Sequence, residues 1–326
     1  MRQAATCWVI SDGRAGIEVQ ARGLAEALGF DPVIKRIKTR APWRWLPPQF
    51  WLDPLRAVDP AGDPLAPPWP DVAIGSGRQA VAPNRAIRRA SRGRSFVIQV
   101  QDPKVDLAGF DVVVAPEHDR LAGPNLIATK GSLHGVTEAR LAAAAAEFAP
   151  RFEALPRPLV GVLVGGNSRK HRMTADLAQA LGDGLAQACR AQDVGLAVTP
   201  SRRTGPANEA ILRRALAPVA ADVWDWTGPN PYFGILALAD AFVVTGDSVN
   251  MVCEAAFTGR PVHVFETAGG TAKFRRFHDT MRAAGITRPF AGRVEEWSYP
   301  PLRETPAVAA EIRRRLDARG SPAAAG

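Results

Sequence analysis

Apolar runs of strand length alternate along the chain with alanine- and leucine-rich segments at helical spacing. The apolar runs predict buried strands at residues 7–10, 71–74, 96–100, 110–114, 159–164, 195–198, 241–244 and 261–265. The helical spacing predicts helices over residues 19–28, ended by Gly29, and near residues 174–190. This alternation is typical of parallel sheets whose strands are joined by crossover helices.

The predicted strands form two series with a similar layout, one in each half of the chain. Between them, residues 149–158 carry three prolines that close an alanine-rich helix, a composition expected of an interdomain linker. We therefore predict two α/β domains, residues 1–155 and 156–326, with the boundary near residue 155.

The amino-acid composition is that of a folded globular protein. The 326 residues are 46% hydrophobic and 22% charged, which excludes a disordered, collagenous or fibrous chain. Lys and Arg number 41 against 32 Asp and Glu, a net charge of +9, and only six of the 41 are Lys. Arginine favours bidentate contacts with phosphate or carboxylate, so the excess suits an anionic ligand or surface; biased codon usage on a solvated surface is the alternative. No basic block with interleaved aromatics is present, so nucleic acid is not expected as a partner.

The cysteines, Cys7, Cys189 and Cys253, are isolated and form no CxxC pair. This spacing argues against a disulfide framework or a structural zinc site and fits a reducing cytosol. The apolar stretch at residues 7–10 is too short for the core of a signal peptide, and no apolar run is long enough to span a bilayer. We expect a cytoplasmic protein that can lie on the inner face of the membrane.

One segment, residues 41–55, departs from the alternating pattern because it is rich in proline and aromatic residues. Its tryptophans and the arginines around them are Trp43, Trp45, Trp51, Arg40, Arg44 and Arg56. Aromatic residues beside arginines suit an anionic bilayer surface, whereas proline-separated tryptophans also pack under loops. Both interpretations stay open at this stage.

The densest cluster of candidate chemistry is at residues 245–256, between two predicted strands. A strand, a small polar turn and a helix start present backbone N–H groups that can bind phosphate. The turn and helix start comprise Asp247, Ser248, Val249, Asn250 and Met251. Glu254 lies about two turns into the helix, where its carboxylate can accept from ribose hydroxyls; the alternatives are an N-cap role for Ser248 and a solvated position for Glu254.

Two further loops follow predicted strands in the second series. They are Gly165-Gly166-Asn167, whose glycines let the backbone approach a ligand, and Ser201-Arg202-Arg203, whose paired arginines suit a diphosphate. Ligands of open α/β sheets bind at the carboxyl ends of the strands, where these loops and the helix start converge. Together they indicate a nucleotide site.

Several motifs resemble those of the "elongated mitochondria" fission-factor family, whose bacterial members are described as nucleotide-sugar glycosyltransferases. In the first half they are Ser11 to Gly16 with Gln20, Gln101-Asp102-Pro103 and Pro116-Glu117-His118-Asp119. In the second half they are Gly165-Gly166, Ser201 to Thr204, Asn230-Pro231-Tyr232, Thr245 to Met251, Glu254-Ala255 and Thr258 to Val262.

This resemblance implies a GT-B fold, with two Rossmann-like domains whose parallel sheets face each other across a cleft. It implies a C-terminal domain that holds the nucleotide sugar, of the UDP type, as a substrate with no cofactor, and an N-terminal domain that holds a saccharide or lipid-linked acceptor. Glu254 would bind the ribose, residues 248–251 the phosphates and Arg202 the pyrophosphate, with Asn230 and Tyr232 in the same site. The final helix, residues 307–319, would cross back to the first domain.

For catalysis, a transfer reaction needs a general base near the acceptor. Asp12 and His118 are the candidates, in loops where Gly13, Arg14 and Gly16 would meet the acceptor; each could instead brace its own loop. No DxD pair marks a metal site, so no metal is expected. Two other functions stay open: a nucleotide-sugar epimerase that uses Glu117, His118, Asp119 and Glu266, and a non-catalytic membrane-associated factor.

Overall fold

The computed structural model describes residues 5–320 and divides the chain into two compact units. The first unit runs to Gly135 and takes in the chain again from Arg303, and the second unit is Val136–Leu302. Each unit is built on its own six-stranded sheet.

Strands and helices alternate along both units. The strands are β1 (Cys7–Ser11), β2 (Val33–Arg36), β3 (Val72–Ser76), β4 (Phe96–Val100), β5 (Val112–Pro116), β6 (Leu126–Thr129), β7 (Leu159–Val164), β8 (His171–Arg172), β9 (Gly195–Pro200), β10 (Ala221–Val223), β11 (Ala241–Thr245), β12 (Val262–Phe265), β13 (Ala268–Gly269) and β14 (Thr287–Pro289). The helices are α1 (Ala15–Ala27), α2 (Arg78–Ala90), α3 (Glu138–Phe152), α4 (Ala175–Gln192), α5 (Pro206–Leu216), α6 (Tyr232–Leu238), α7 (Val249–Ala256), α8 (Ala272–Ala283) and α9 (Glu304–Gly320).

The sheet of the first unit is parallel throughout, in the order β2-β1-β3-β4-β5-β6. Its central strands are buried on both faces: Val9 and Ile98 lie in one hydrophobic cluster, and Ile10 and Val97 lie in another. Double burial favours nearly continuous apolar runs, in which Gln99 of β4 is a buried polar exception, and this is why the sequence pattern predicted these strands.

The sheet of the second unit is also parallel, in the order β10-β9-β7-β11-β12-β14. The chain moves outward from β7 to β9 and β10, then returns to the other side of β7 and continues through β11, β12 and β14. The strand order therefore reverses between β7 and β11. The expected fold class, α/β with two parallel sheets in a GT-B-like arrangement of strands, is confirmed.

The division between the units lies at residue 135, rather than near residue 155. Helix α3 continues through Pro150 because Phe148 and Phe152 are buried in the hydrophobic cluster of the second unit. At the other end of the chain, Val308 and Ile312 of α9 are buried in the cluster that contains Val9 of the first unit.

No helix among residues 5–320 combines the length and the apolar character needed to cross a bilayer.

Candidate functional site

The loops after β7 and β11 meet at the point where the strand order of the second unit reverses. The amide of Gly165 donates to Thr245 Oγ1 at 2.7 Å, and the amide of Gly166 donates to Asp247 Oδ2 at 3.0 Å. Ligands of open α/β sheets bind in the crevice at such a reversal. The position identifies these loops as the candidate site.

The loop after β9 joins them. The amide of Asn167 donates to the carbonyl of Arg203 at 2.8 Å, and Ser201 Oγ donates to the carbonyl of Gly165 at 2.9 Å. Gly166 has a φ of +147°, and a Cβ there would collide with the backbone of Arg203. The structure thus brings the three predicted loops together, and it requires glycine at position 166.

Asp247 organises this junction. Its carboxylate is fully buried, and Oδ2 accepts from Gly166 and, at 2.5 Å, from Arg203 Nη1. Asp247 therefore joins the loop after β7 to the loop after β9 through Gly166 and Arg203. Arg203 is 38% exposed, and Arg202, predicted beside it as the pyrophosphate contact, is exposed on the same loop.

The start of α7 is the accessible end of that helix. Ser248 Oγ accepts from the Met251 amide at 3.4 Å, so Ser248 is the N-cap. Val249, Asn250 and Met251 are partly exposed, whereas the residues that follow them in the helix are buried. The N-cap role, one of the two that the sequence left open, is present in the structure, and it leaves the first turn accessible to a ligand.

Glu254 and Tyr232 form a buried pair. Glu254 is 7% exposed, so its interpretation as a solvated residue is wrong, and the Tyr232 hydroxyl donates to its Oε2. Burial raises the pKa of Glu254 to about 7, although the Tyr232 hydrogen bond and the charge of Arg140 act in the opposite direction. Burial also raises the pKa of Tyr232. Asn230 Oδ1 accepts from the Tyr232 amide at 3.0 Å, which orders the start of α6.

A cavity that the sequence did not indicate lies at the carboxyl ends of β11, β12 and β14, next to the short β8–β13 ribbon. It has a volume of about 250 Å³ and is lined by His171, His278, Phe274 and Arg282 among other residues. His278 Nε2 lies 2.8 Å from the Gly246 carbonyl and must carry the proton, and burial lowers the pKa of both histidines. The two imidazoles are therefore neutral at pH 7. His171 and His278 are too far apart in the chain for a sequence motif to connect them.

The predicted catalytic residues lie in the first unit, at the carboxyl ends of β1 and β5. Asp12 Oδ2 accepts from Arg14 Nε at 2.8 Å, and Asp12 Oδ1 accepts from the Arg14 amide at 3.3 Å, so Asp12 braces its own loop. Gly13, with a φ of +78°, lies in the same loop, and Gly16 lies in the first turn of α1. His118 lies in a 3₁₀ turn, Glu117–Asp119, and is 7% exposed.

The tryptophans of residues 41–55 have different environments. Trp51 is 6% exposed and packs with Ala57 and Ala82, which contradicts its predicted contact with a membrane. Trp43 is partly buried against the same cluster, whereas Trp45 is 65% exposed. The sequence could not separate them because all three lie in one stretch rich in prolines and arginines, with no periodic pattern to mark a buried face.

Across residues 5–320, no group of three or more His, Cys, Asp or Glu side chains is arranged to hold a metal ion.

The chain is similar to a described protein family and to relatives of known sequence. The family described as mitochondrial fission ELM1 matches residues 15–316. The mitochondrial fission protein ELM1 of Arabidopsis thaliana is 34% identical over 278 residues, or 77% of this chain, and the chain spans 65% of the length of that relative. A further relative, the uncharacterized protein RP120 of Rickettsia prowazekii, is 25% identical over 286 residues, which cover 76% of this chain and 80% of that protein.

Two solved structures share the architecture. UDP-GlcNAc 2-epimerase from Methanocaldococcus jannaschii has a TM-score of 0.57 and 11% identity, with 96% of this chain and 99% of that chain covered. MurG from Acinetobacter baumannii has a TM-score of 0.50 and 14% identity, with 95% and 90% covered. At such identities the likeness shows the fold alone.

Proposed function

The chain belongs to the mitochondrial fission ELM1 family, and from this starting point we propose that it is a glycosyltransferase. It moves a sugar from a nucleoside-diphosphate sugar, of the UDP type, to a saccharide or lipid-linked acceptor at the inner face of the cytoplasmic membrane, without a metal ion. The observation that carries the proposal is the crevice of the second unit, where Gly165, Gly166 and the start of α7 meet beside Arg203.

The crevice supports binding of a diphosphate. The amides at a helix N-terminus and the glycine backbone favour negative charge, and Arg203 and Arg202 add guanidinium groups on the neighbouring loop. These groups also stabilise the diphosphate as it leaves, which is the electrostatic contribution that a metal-independent transfer needs.

The Glu254–Tyr232 pair supports recognition of the ribose. Tyr232 already donates to one carboxylate oxygen, and the ribose hydroxyls would donate to the same buried carboxylate. A nucleotide that binds there favours the ionised form of Glu254, because hydrogen bonds to a carboxylate stabilise its charge.

The first unit would bind the acceptor and would provide the general base, either Asp12 or His118. Asp12→Asn and His118→Asn are therefore expected to retain the donor and to slow the transfer. A variant that keeps the full transfer rate would exclude its residue as the general base.

A second candidate function is a nucleotide-sugar epimerase. The cavity of His171 and His278 favours it, because two neutral imidazoles beside the crevice can exchange protons with a bound sugar. Glu266, predicted for this role, lines the same cavity with a side chain that is 79% exposed.

Mass spectrometry of UDP-sugars after incubation separates the candidates. A transferase releases UDP only when a membrane extract supplies the acceptor, and this is the expected result. An isomeric UDP-sugar formed without acceptor would establish the epimerase. If no UDP-sugar is converted under either condition, both enzymatic candidates for UDP-sugars are contradicted.

A further inference from the structure

Residues 40–56 of the first unit, the tryptophan loop, display apolar side chains to solvent. Trp45 is 65% exposed, Phe50 is 60% exposed and Leu52 is 89% exposed. The other large apolar side chains among residues 5–320 are buried or partly buried, apart from Val33 and Trp226. Three exposed apolar side chains within residues 45–52 differ from the single apolar residues scattered over an ordinary protein surface.

Buried packing and hydrogen bonds fix the loop to the rest of the first unit. Trp51 is buried against Ala57 and Ala82, and its indole N–H donates to the Leu46 carbonyl at 3.2 Å. Arg78 of α2 donates to the carbonyls of Trp45 at 3.1 Å and Leu46 at 2.8 Å. The exposed tips are therefore presented by a backbone that is fixed to the body of the unit.

The charges around the tips are mostly positive. The loop contains Arg40, Arg44 and Arg56, all exposed, and Lys38 precedes it. Its single acidic residue, Asp53, pairs with Arg56 at 3.4 Å, which leaves Arg40, Arg44 and Lys38 as the cations outside that ion pair. The guanidinium of Arg44 lies over the ring of Trp45, with Cζ 4.4 Å from the centroid, so a cation lies directly against one of the apolar side chains.

We propose that the tryptophan loop binds the surface of an anionic bilayer, with Trp45, Phe50 and Leu52 entering the interface and the arginines contacting lipid phosphates. Apolar tips that insert and cations that remain at headgroup level match the two layers of such a surface. The prolines of the loop lack backbone N–H groups, which disfavours a protein partner that would add a strand. The inference rests on the membrane location in the proposed function and names the surface that would contact the bilayer. It is tested separately from the transfer reaction, because vesicle binding by the first unit does not depend on whether the second unit binds a nucleotide.

Vesicle sedimentation tests this surface. The full chain is mixed with vesicles of phosphatidylcholine alone and with vesicles of phosphatidylcholine and phosphatidylglycerol in equal amounts. Binding is expected only to the anionic vesicles and should weaken with added salt. The double variant Phe50→Ser with Leu52→Ser should bind at least about tenfold more weakly, since it loses most of the inserted apolar area without a change of charge.

The matched control is Val33→Ser, which removes an exposed apolar side chain of the same unit outside the loop. Unchanged thermal unfolding shows that each variant is folded, and this is expected because the substituted side chains are exposed. Equal vesicle binding by the double variant and the wild type, or no binding by the wild type, would overturn the proposal. A dimer in solution that the double variant abolishes would assign the loop to protein association instead.

Discussion

Inside the second unit, the carboxyl group of Glu254 accepts a hydrogen bond from the Tyr232 hydroxyl. On an isolated helix, the Glu254 side chain would be solvated. The sequence predicted the position of Glu254 on the helix but not this contact, because Tyr232 belongs to a different helix and no spacing rule relates them. Burial raises the pKa of Glu254 to about 7, so the carboxyl changes its charge near neutral pH.

The buried carboxyl makes stability depend on pH. The folded-state pKa of Glu254 lies above its ordinary value, so its contribution to stability is complete at low pH and is lost as pH rises through about 7. The free energy of unfolding should therefore fall by a few kcal/mol, about 3 at most, relative to Glu254→Gln as pH rises from about 5 to about 8. Denaturant unfolding of both proteins over this range measures it, and parallel pH profiles would contradict it.

Nucleotide binding should show the opposite pH dependence. Ribose hydroxyls donate to the ionised carboxylate, so the affinity for UDP should increase as pH rises through about 7. Glu254→Gln should weaken binding by roughly 1–3 kcal/mol and leave only the titration of UDP itself. Tyr232→Phe removes a hydrogen bond that lowers the pKa, so its profile should move to higher pH. Calorimetric titration that finds one profile for all three proteins would remove the pair from the site.

At Gly166, the local backbone admits no side chain. Gly166→Ala should lower both stability and UDP affinity, because the new Cβ meets the backbone of Arg203. Gly228→Ala is the matched control: Gly228 also has a positive φ, +66°, but a Cβ there meets nothing within 4 Å. The control should cost only about 1–2 kcal/mol of backbone strain. Equal losses in the two variants would mean that the three loops are not tightly joined.

Among the elements, long apolar strands were predictable and short or edge elements were not. Strand β4 coincides with its predicted run because it is buried on both faces. Strand β2, Val33–Arg36, ends in Lys35 and Arg36 and is partly exposed at the sheet edge, so no apolar run announces it. Helix α3 continues through Pro150 because the burial of Phe148 and Phe152 outweighs the lost backbone hydrogen bond, which composition alone does not reveal.

The first turn of α7 allows capping and ligand binding to be separated. Ser248→Ala removes the cap and should cost about 1 kcal/mol of unfolding free energy. Ser248→Asp retains a capping oxygen and should keep that stability, but its negative charge should reduce the affinity for a diphosphate. Denaturant unfolding and UDP titration distinguish the two effects. Full diphosphate affinity in Ser248→Asp would show that phosphate binds elsewhere.

For the whole molecule, the rhythm of strands and helices was sufficient to predict two parallel α/β sheets, but not where the chain divides. The return of α9 to the first unit, through Val308 and Ile312, was expected from the family resemblance. The position of the division depends on contacts that are distant in sequence, since Phe148 and Phe152 of α3 are buried in the cluster of the second unit. The candidate site was likewise predictable only in part. Its glycine and serine loops carry local signals, whereas the Tyr232–Glu254 pair and the cavity of His171 and His278 arise only when the chain is folded.

Binding of a nucleoside diphosphate by the second unit is measured by thermal unfolding with UDP, GDP, TDP, ADP and CMP. One diphosphate, expected to be UDP, should raise the midpoint, since a ligand at 100 times its Kd adds about 2.7 kcal/mol to the folded state. The shift should be reduced in Glu254→Gln and kept in Asp12→Asn, which alters the first unit. If no nucleotide raises the midpoint, the proposed donor site in the second unit is contradicted.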